Sequence, residues 1–143
     1  MVPVSQLLAD KPKEIFAVAP QQPVLEAVAL MAEKSIGAVL VMEGEKLVGI
    51  LSERDYARKV VLKGRSSKDT PVADIMTPAP LITVGTASRA RECMRLMTDK
   101  RIRHLPVMDG DKVVGMLSIG DLVRAIIQAQ DAEIAQLTQY IAG

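Results

Sequence analysis

Tryptophan is absent from this 143-residue chain, and it holds one phenylalanine and two tyrosines. A grip on single-stranded nucleic acid, which stacks bases on aromatic platforms, finds little support in such a sequence. One cysteine excludes an intramolecular disulfide framework. One histidine cannot furnish the three or four donors that a zinc site gathers, so no metal is expected. Neither charge is in excess: 18 basic residues face 17 acidic ones, and a formal charge of +1 gives no bulk field toward nucleic acid or an anionic membrane. Long apolar runs are missing too, since Ala38 to Met42 stops at Glu43, far short of the roughly 20 residues of a membrane helix. No stretch has the order of a signal peptide, which makes a reducing cytoplasm the expected setting. Neither GxGxxG after a strand nor a Walker loop occurs, so a classical dinucleotide or NTPase fold is unsupported.

What the chain does have is aliphatic bulk and a repeat. Hydrophobic residues make up 49% of it, mostly Val, Ile, Leu, Met and Ala, which suit tight helix-on-sheet layers in about one domain's length of chain. The stretch GILSERD at 49–55 returns as GMLSIGD at 115–121, with Gly49, Ser52 and Asp55 each matched 66 residues later by Gly115, Ser118 and Asp121. The same offset aligns Ile15 to Leu62 with the second half without a gap, at roughly one identity in three, the mark of a duplication. Upstream, Val4 to Leu8 resembles Val72 to Met76 at an offset of 68, so the first half carries two extra residues near Lys11 to Glu14.

Each half predicts the same order of elements. A short strand (Phe16 to Val18, or Leu81 to Val84) precedes a helix whose apolar residues fall at Val24, Ala27, Val28 and Met31, or at Ala90, Cys93, Met94 and Met97. That i, i+3, i+4, i+7 spacing is one buried helical face. Two strands follow, Ala38 to Met42 and Lys46 to Leu51, copied as Leu105 to Met108 and Lys112 to Leu117. Their acidic-Gly turns, Glu43-Gly44-Glu45 and Asp109-Gly110-Asp111, signal hairpins. A second helix begins at Ser52 or Ser118. Residues 63–71 have no apolar periodicity and read as an exposed linker between a first unit, 1–62, and a second, 72–130. Residues 131–143 form a helical tail.

The tandem of strand–helix–strand–strand–helix units closing on G-h-h-S-x-x-D, with VADIM, IRHLPVMDGDKVVG and SIGDL in this order, resembles the cystathionine-β-synthase (CBS) domain pair, or Bateman module, of the small stand-alone bacterial kind. The resemblance covers Val4 to about Gln128. It implies an α/β (α+β) fold of two β-α-β-β-α units packed through their sheets with pseudo-twofold symmetry, and two clefts for adenosine nucleotides of the AMP, ADP, ATP or NAD type. The implied function is non-catalytic and regulatory. A ligand-independent dimeric adaptor is the alternative.

Chemically, Ser52 and Ser118 stand where a strand turns into a helix, and Asp55 and Asp121 lie in the first helical turn. That pattern suits plain capping and the macrodipole. It equally suits a nucleotide, because free N–H groups at a helix start attract phosphate and a carboxylate can accept from both ribose hydroxyls. With the family context, Thr83, Arg103, His104, Leu105, Pro106, Ser118 and Asp121 are the expected contacts in the favoured second cleft. Gly37, Ala38, Ser52, Arg54 and Asp55 are those of a weaker first cleft, since Gly37-Ala38 offers none of the donors of Arg103-His104. Cys93, aligned with Ala27, reads as core filler, and no catalytic constellation is found. The apolar residues Ile126, Ile127, Ile134, Leu137 and Ile141 extend past the second unit and, with the family's habit, imply a homodimer through the CBS helices and the C-terminal helix.

Overall fold

The structure, a computed structural model, describes residues 2–12 and 14–142. The elements run α1 (Val4–Ala9), β1 (Ala17–Val18), α2 (Val24–Lys34), β2 (Ala38–Glu43), β3 (Lys46–Ser52), α3 (Glu53–Tyr56), β4 (Thr77–Pro78), β5 (Val84–Gly85), α4 (Ala90–Lys100), β6 (His104–Asp109), β7 (Lys112–Ser118) and α5 (Ile119–Ala142). A π-helical turn, Ala57–Val61, continues α3, and a 3-10 turn, Val72–Asp74, precedes β4. The fold is mixed α/β with two small sheets, ordered β1-β2-β3-β4 and β5-β6-β7. In the first, β1 is parallel to β2, while β2–β3 and β3–β4 are antiparallel. In the second, β5 is parallel to β6.

The repeat is visible in detail. Val24, Ala27 and Met31 of α2 and Ala90, Cys93 and Met97 of α4 are the buried face that the spacing predicts. Gly44 and Gly110 turn the hairpins at φ +59 and +62, where a side chain would be strained. Cys93 lies wholly in the core, and burial, then the neighbouring Glu92 carboxylate, push its thiol above the ordinary range, as suits an inert filler.

Two compact units interleave the spans 1–62 and 72–130, because the segment ahead of each repeat docks on the other repeat. Neither α2 nor α4 has a side-chain N-cap. Instead the first N–H of α4, Ala90, donates to Val2 O at 3.0 Å, and that of α2, Val24, donates to Thr70 O at 2.9 Å. The return bonds also correspond: Val4 N to Ser88 O and Ser5 N to Thr86 O in one unit, Val72 N to Gln22 O and Ala73 N to Pro20 O in the other. Crossing main chain thus satisfies the first orphan donor of each helix start. It seats Val4 and Leu7 in one core with Cys93, Leu105 and Leu117, and Val72 and Ile75 in the other with Val24, Val39 and Leu51.

The crossing also explains the glycine of the repeated motif. A Cβ on Gly49 would stand 2.5 Å from Met76 Sδ and 2.9 Å from Thr77 O, and one on Gly115 would stand 2.7 Å from Leu8 Cδ2. Leu8 and Met76 are themselves counterparts in the two crossing segments.

Two expectations are corrected. The segment 63–71 is not simply exposed: Thr70 is buried, Thr70 O and Ser67 O accept from the first two N–H groups of α2, and Ser67 Oγ lies 2.9 Å from Tyr56 Oη. The strand expected over Leu81 to Val84 is confined to Val84–Gly85. In the first half Leu40 N donates to Phe16 O, but its counterpart Pro106 has no N–H to give, so the second ladder starts later.

Candidate functional site

Each Ser-x-x-Asp sits where the last residue of a hairpin becomes the first turn of a helix. The strand-start residue opposite fixes that turn: Glu53 N donates to Gly37 O at 3.0 Å, and Ile119 N to Arg103 O at 2.8 Å. Asp55 N then donates to Ser52 Oγ at 3.1 Å while Ser52 N donates back to Asp55 Oδ2 at 3.0 Å, a complete capping box. In the second repeat Asp121 N donates to Ser118 Oγ at 3.2 Å and Ser118 N to Asp121 Oδ2 at 2.8 Å. Capping is therefore real at both motifs.

The carboxylates differ in what else they meet. Lys11 Nζ donates to Asp121 Oδ2 at 2.7 Å and to Met116 O at 2.8 Å. Asp121 Oδ1 lies 3.8 Å from Arg124 Nη1, beyond hydrogen-bond reach. Asp55 has both oxygens engaged: Oδ2 accepts from Ser52 N and Ser52 Oγ, and Oδ1 lies 3.2 Å from Lys59 Nζ, which also donates to Ile75 O at 3.0 Å. Both aspartates are mostly buried, at 14% and 16% side-chain exposure, so water does little to screen what they bind.

Burial is the largest single influence on the Asp121 carboxyl and pushes it up. The Lys11 and Ser118 hydrogen bonds together outweigh it and hold the group below the ordinary carboxylate range. His104, the half-buried first residue of β6, is pushed the other way for a base: burial, then the Lys11 ammonium, lower it against the opposing pull of Asp121. Its imidazole is thus neutral at pH 7, able both to donate and to accept one hydrogen bond. The second-repeat site is therefore a mostly buried carboxylate whose Oδ2 is hydrogen-bonded and whose Oδ1 has only the longer ion pair with Arg124, at the start of α5 and within the electrostatic reach of Lys11 and a neutral imidazole.

Of the residues expected from sequence, Ser118, Asp121 and His104 come together, with Arg103 supplying its carbonyl to the helix start and leaving an exposed side chain. Thr83 is exposed just ahead of β5. Leu105 and Pro106 are buried, and the Leu105 side chain belongs to the core, so only main chain is left there to meet a ligand. In the first repeat Ser52 and Asp55 pair, Gly37 gives its carbonyl, Ala38 is fully buried, and Arg54 is exposed on α3. Lys11 and Lys59 were not anticipated. Lys59 was within reach of the sequence, four residues after Asp55 on one helical face. Lys11 lies near the two extra residues of the first half, where the offset changes from 68 to 66 and the alignment of the halves gives no guide.

Comparison with known proteins identifies the family and the fold. The sequence profile of the CBS domain matches residues 7–62 and 72–128. The CBS domain-containing protein CBSX3, mitochondrial, of Arabidopsis thaliana is 46% identical over 124 residues; these are 84% of this chain, which spans only 60% of that relative. A CBS-domain protein of known structure from Burkholderia ambifaria MC40-6 is 51% identical, with a TM-score of 0.86 over 90% of this chain and 96% of that one. The CBS domain protein PAE2072 from Pyrobaculum aerophilum, complexed with AMP, shares the fold at 24% identity, with a TM-score of 0.78 over 92% of this chain and 99% of that one.

Proposed function

Because this chain belongs to the CBS-domain family and carries two such domains in tandem, we propose that it is a non-catalytic regulatory module that binds an adenosine nucleotide of the AMP, ADP, ATP or NAD type. The favoured site is at Ser118 and Asp121, with a weaker one at Ser52 and Asp55. The observation that carries this reading is the Asp121 carboxylate, set at a helix start with Lys11 hydrogen-bonded to Oδ2 and Oδ1 held only by the 3.8 Å ion pair with Arg124. A ribose hydroxyl can donate to Oδ1 without breaking the cap, and phosphate can be met by the charges of Arg103 and Lys11, the neutral N–H of His104 and the N–H groups of α5. The AMP complex of the Pyrobaculum protein supports the choice of an adenosine ligand.

A ligand-independent adaptor is favoured by one observation, the completeness of both caps, which gives Ser and Asp a structural task without any ligand. Thermal unfolding with a nucleotide panel separates the two. A ligand bound only by the folded state adds RT ln(1 + [L]/Kd), about 2.7 kcal/mol at a hundredfold excess over Kd. Adenosine nucleotides should raise the midpoint and guanosine or pyrimidine nucleotides should do less. No shift from AMP, ADP, ATP or NAD at millimolar concentration leaves the adaptor reading standing.

A further inference from the structure

By the 66-residue offset Lys59 stands opposite Ala125. In α5 the residues that enter the core are Leu122 and Ala125, three apart. In the first repeat Tyr56 packs against the core and Val60 lies within it, four apart. The difference is the π-helical turn Ala57–Val61, where Leu62 N donates to Ala57 O, five residues back, at 3.0 Å. Such a turn holds about one residue more than an α turn, and π turns recur at functional sites. Val60 thereby takes the core place that Ala125 fills in the other repeat. Lys59 is left outside the core, its side chain 45% exposed, one turn beyond Asp55.

The two lysines then meet the two aspartates on different oxygens. Asp55 Oδ2 already accepts from Ser52 N and Ser52 Oγ, so Oδ1 is the oxygen left for a ligand, and Lys59 Nζ stands 3.2 Å from it. The same ammonium donates to Ile75 O at 3.0 Å, which ties it down from a second side. Lys11 instead joins Asp121 through Oδ2, the oxygen that the cap already uses, and Oδ1 keeps only the 3.8 Å ion pair with Arg124. We infer that Lys59 is a specificity-determining residue: its ammonium occupies Asp55 in place of a ribose hydroxyl and holds the first site closed, so that the second is filled first. A hydroxyl arriving at Asp55 must displace an ion pair and break the bond to Ile75 O, whereas one arriving at Asp121 meets neither cost. This role rests on the nucleotide reading of the two motifs and adds what decides between them.

Calorimetry with AMP on the full chain tests it, in a background that silences the second site. Wild type should bind tightly and Asp121→Ala should not. Adding Lys59→Met, which keeps the length of the stem and removes the ammonium, should make AMP bind at least about tenfold tighter than to Asp121→Ala alone, the worth of one hydrogen bond to a charged group. Lys59→Ala in the same background should give the same gain, and adding Asp55→Ala to either should erase it. Thermal unfolding checks that each variant is folded, as the nearly half-exposed position of Lys59 leads one to expect. If wild type binds AMP and the double variants bind no tighter than Asp121→Ala, Lys59 does not close the site. Weaker binding by the double variants also overturns the inference, since it would make the lysine a contact for the nucleotide. Failure of wild type and every variant to bind AMP has a different signature, and it overturns the nucleotide reading together with the role of Lys59.

Discussion

Set side by side, the two halves build the same helix start with the same main-chain bonds, and then surround its aspartate differently. In the first, Lys59 comes from the same helix as Asp55 and reaches Ile75 O, closing the carboxylate on both oxygens. In the second, Lys11 comes from beyond α1, takes Oδ2 only, and leaves Oδ1 to a distant Arg124. Where the first half has Gly37-Ala38, the second has Arg103-His104. Residues identical in the two halves therefore maintain the scaffold: Ser caps, Asp completes the cap, and Gly lets the crossing segment approach. The positions that differ are where the halves part in chemistry, which is why an asymmetric pair of sites is expected from a symmetric motif.

The sharpest way to break this comparison is to remove each carboxylate in turn. Asp121→Ala should abolish tight nucleotide binding, and Asp55→Ala should leave one tight site or weaken it modestly. Equal losses in calorimetry would dissolve the distinction between the sites.

A smaller contrast concerns the two glycines. Gly49→Ala pushes a methyl against Thr77 O as well as Met76, and main chain paired in β4 cannot step aside. It should cost about 1–3 kcal/mol, as overpacking does. Gly115→Ala meets only the end of the Leu8 side chain, which can rotate, and should cost less. Chemical denaturation of the two variants measures the difference, and an equal cost would mean that the backbone of β4 does yield.

The smallest effect belongs to Lys11. Because Asp121 is held below the ordinary carboxylate range in the folded protein, its charged form contributes stability above that range, and the contribution is lost as pH falls through the depressed value. Lys11→Met should cost about 0.5–1 kcal/mol at pH 7, discounted because the lysine is a third exposed. The gap to wild type should close on acidification, as Asp121 takes up its proton. A gap that persists at low pH would assign the loss to packing of the lysine stem.

Much of this was legible before the structure. The 66-residue offset carried the fold, because cap, hairpin turn and helical face each rest on contacts local in sequence, as with Ser118 and Asp121 or Gly110. What stayed hidden was non-local. The offset of 68 marked Val4 and Val72 as counterparts, but nothing in the sequence says that each docks on the opposite repeat, since those hydrogen bonds join main chain to main chain. Thr70 looked like linker for the same reason. Lys11 could not be placed on Asp121 across so long a separation. The exposed apolar residues Ile127, Ile134, Leu137 and Ile141 of α5 were legible too, since the pattern of one helix is local in sequence.

The central claim is that Asp121 reads a ribose as well as capping a helix, and calorimetry with AMP and 2′-deoxy-AMP on wild type and Asp121→Asn tests it most directly. The substitution keeps the shape and one carbonyl acceptor but removes the charge, which a cap at one helix turn feels by only about 0.3–1 kcal/mol. A hydrogen bond to a charged group is worth about 1.5–3 kcal/mol. Wild type should therefore prefer AMP over 2′-deoxy-AMP by about tenfold or more, and Asp121→Asn should bind AMP correspondingly more weakly and discriminate far less between the two. Equal binding of AMP and 2′-deoxy-AMP by wild type would contradict the account and leave Ser118 and Asp121 as a helix cap alone.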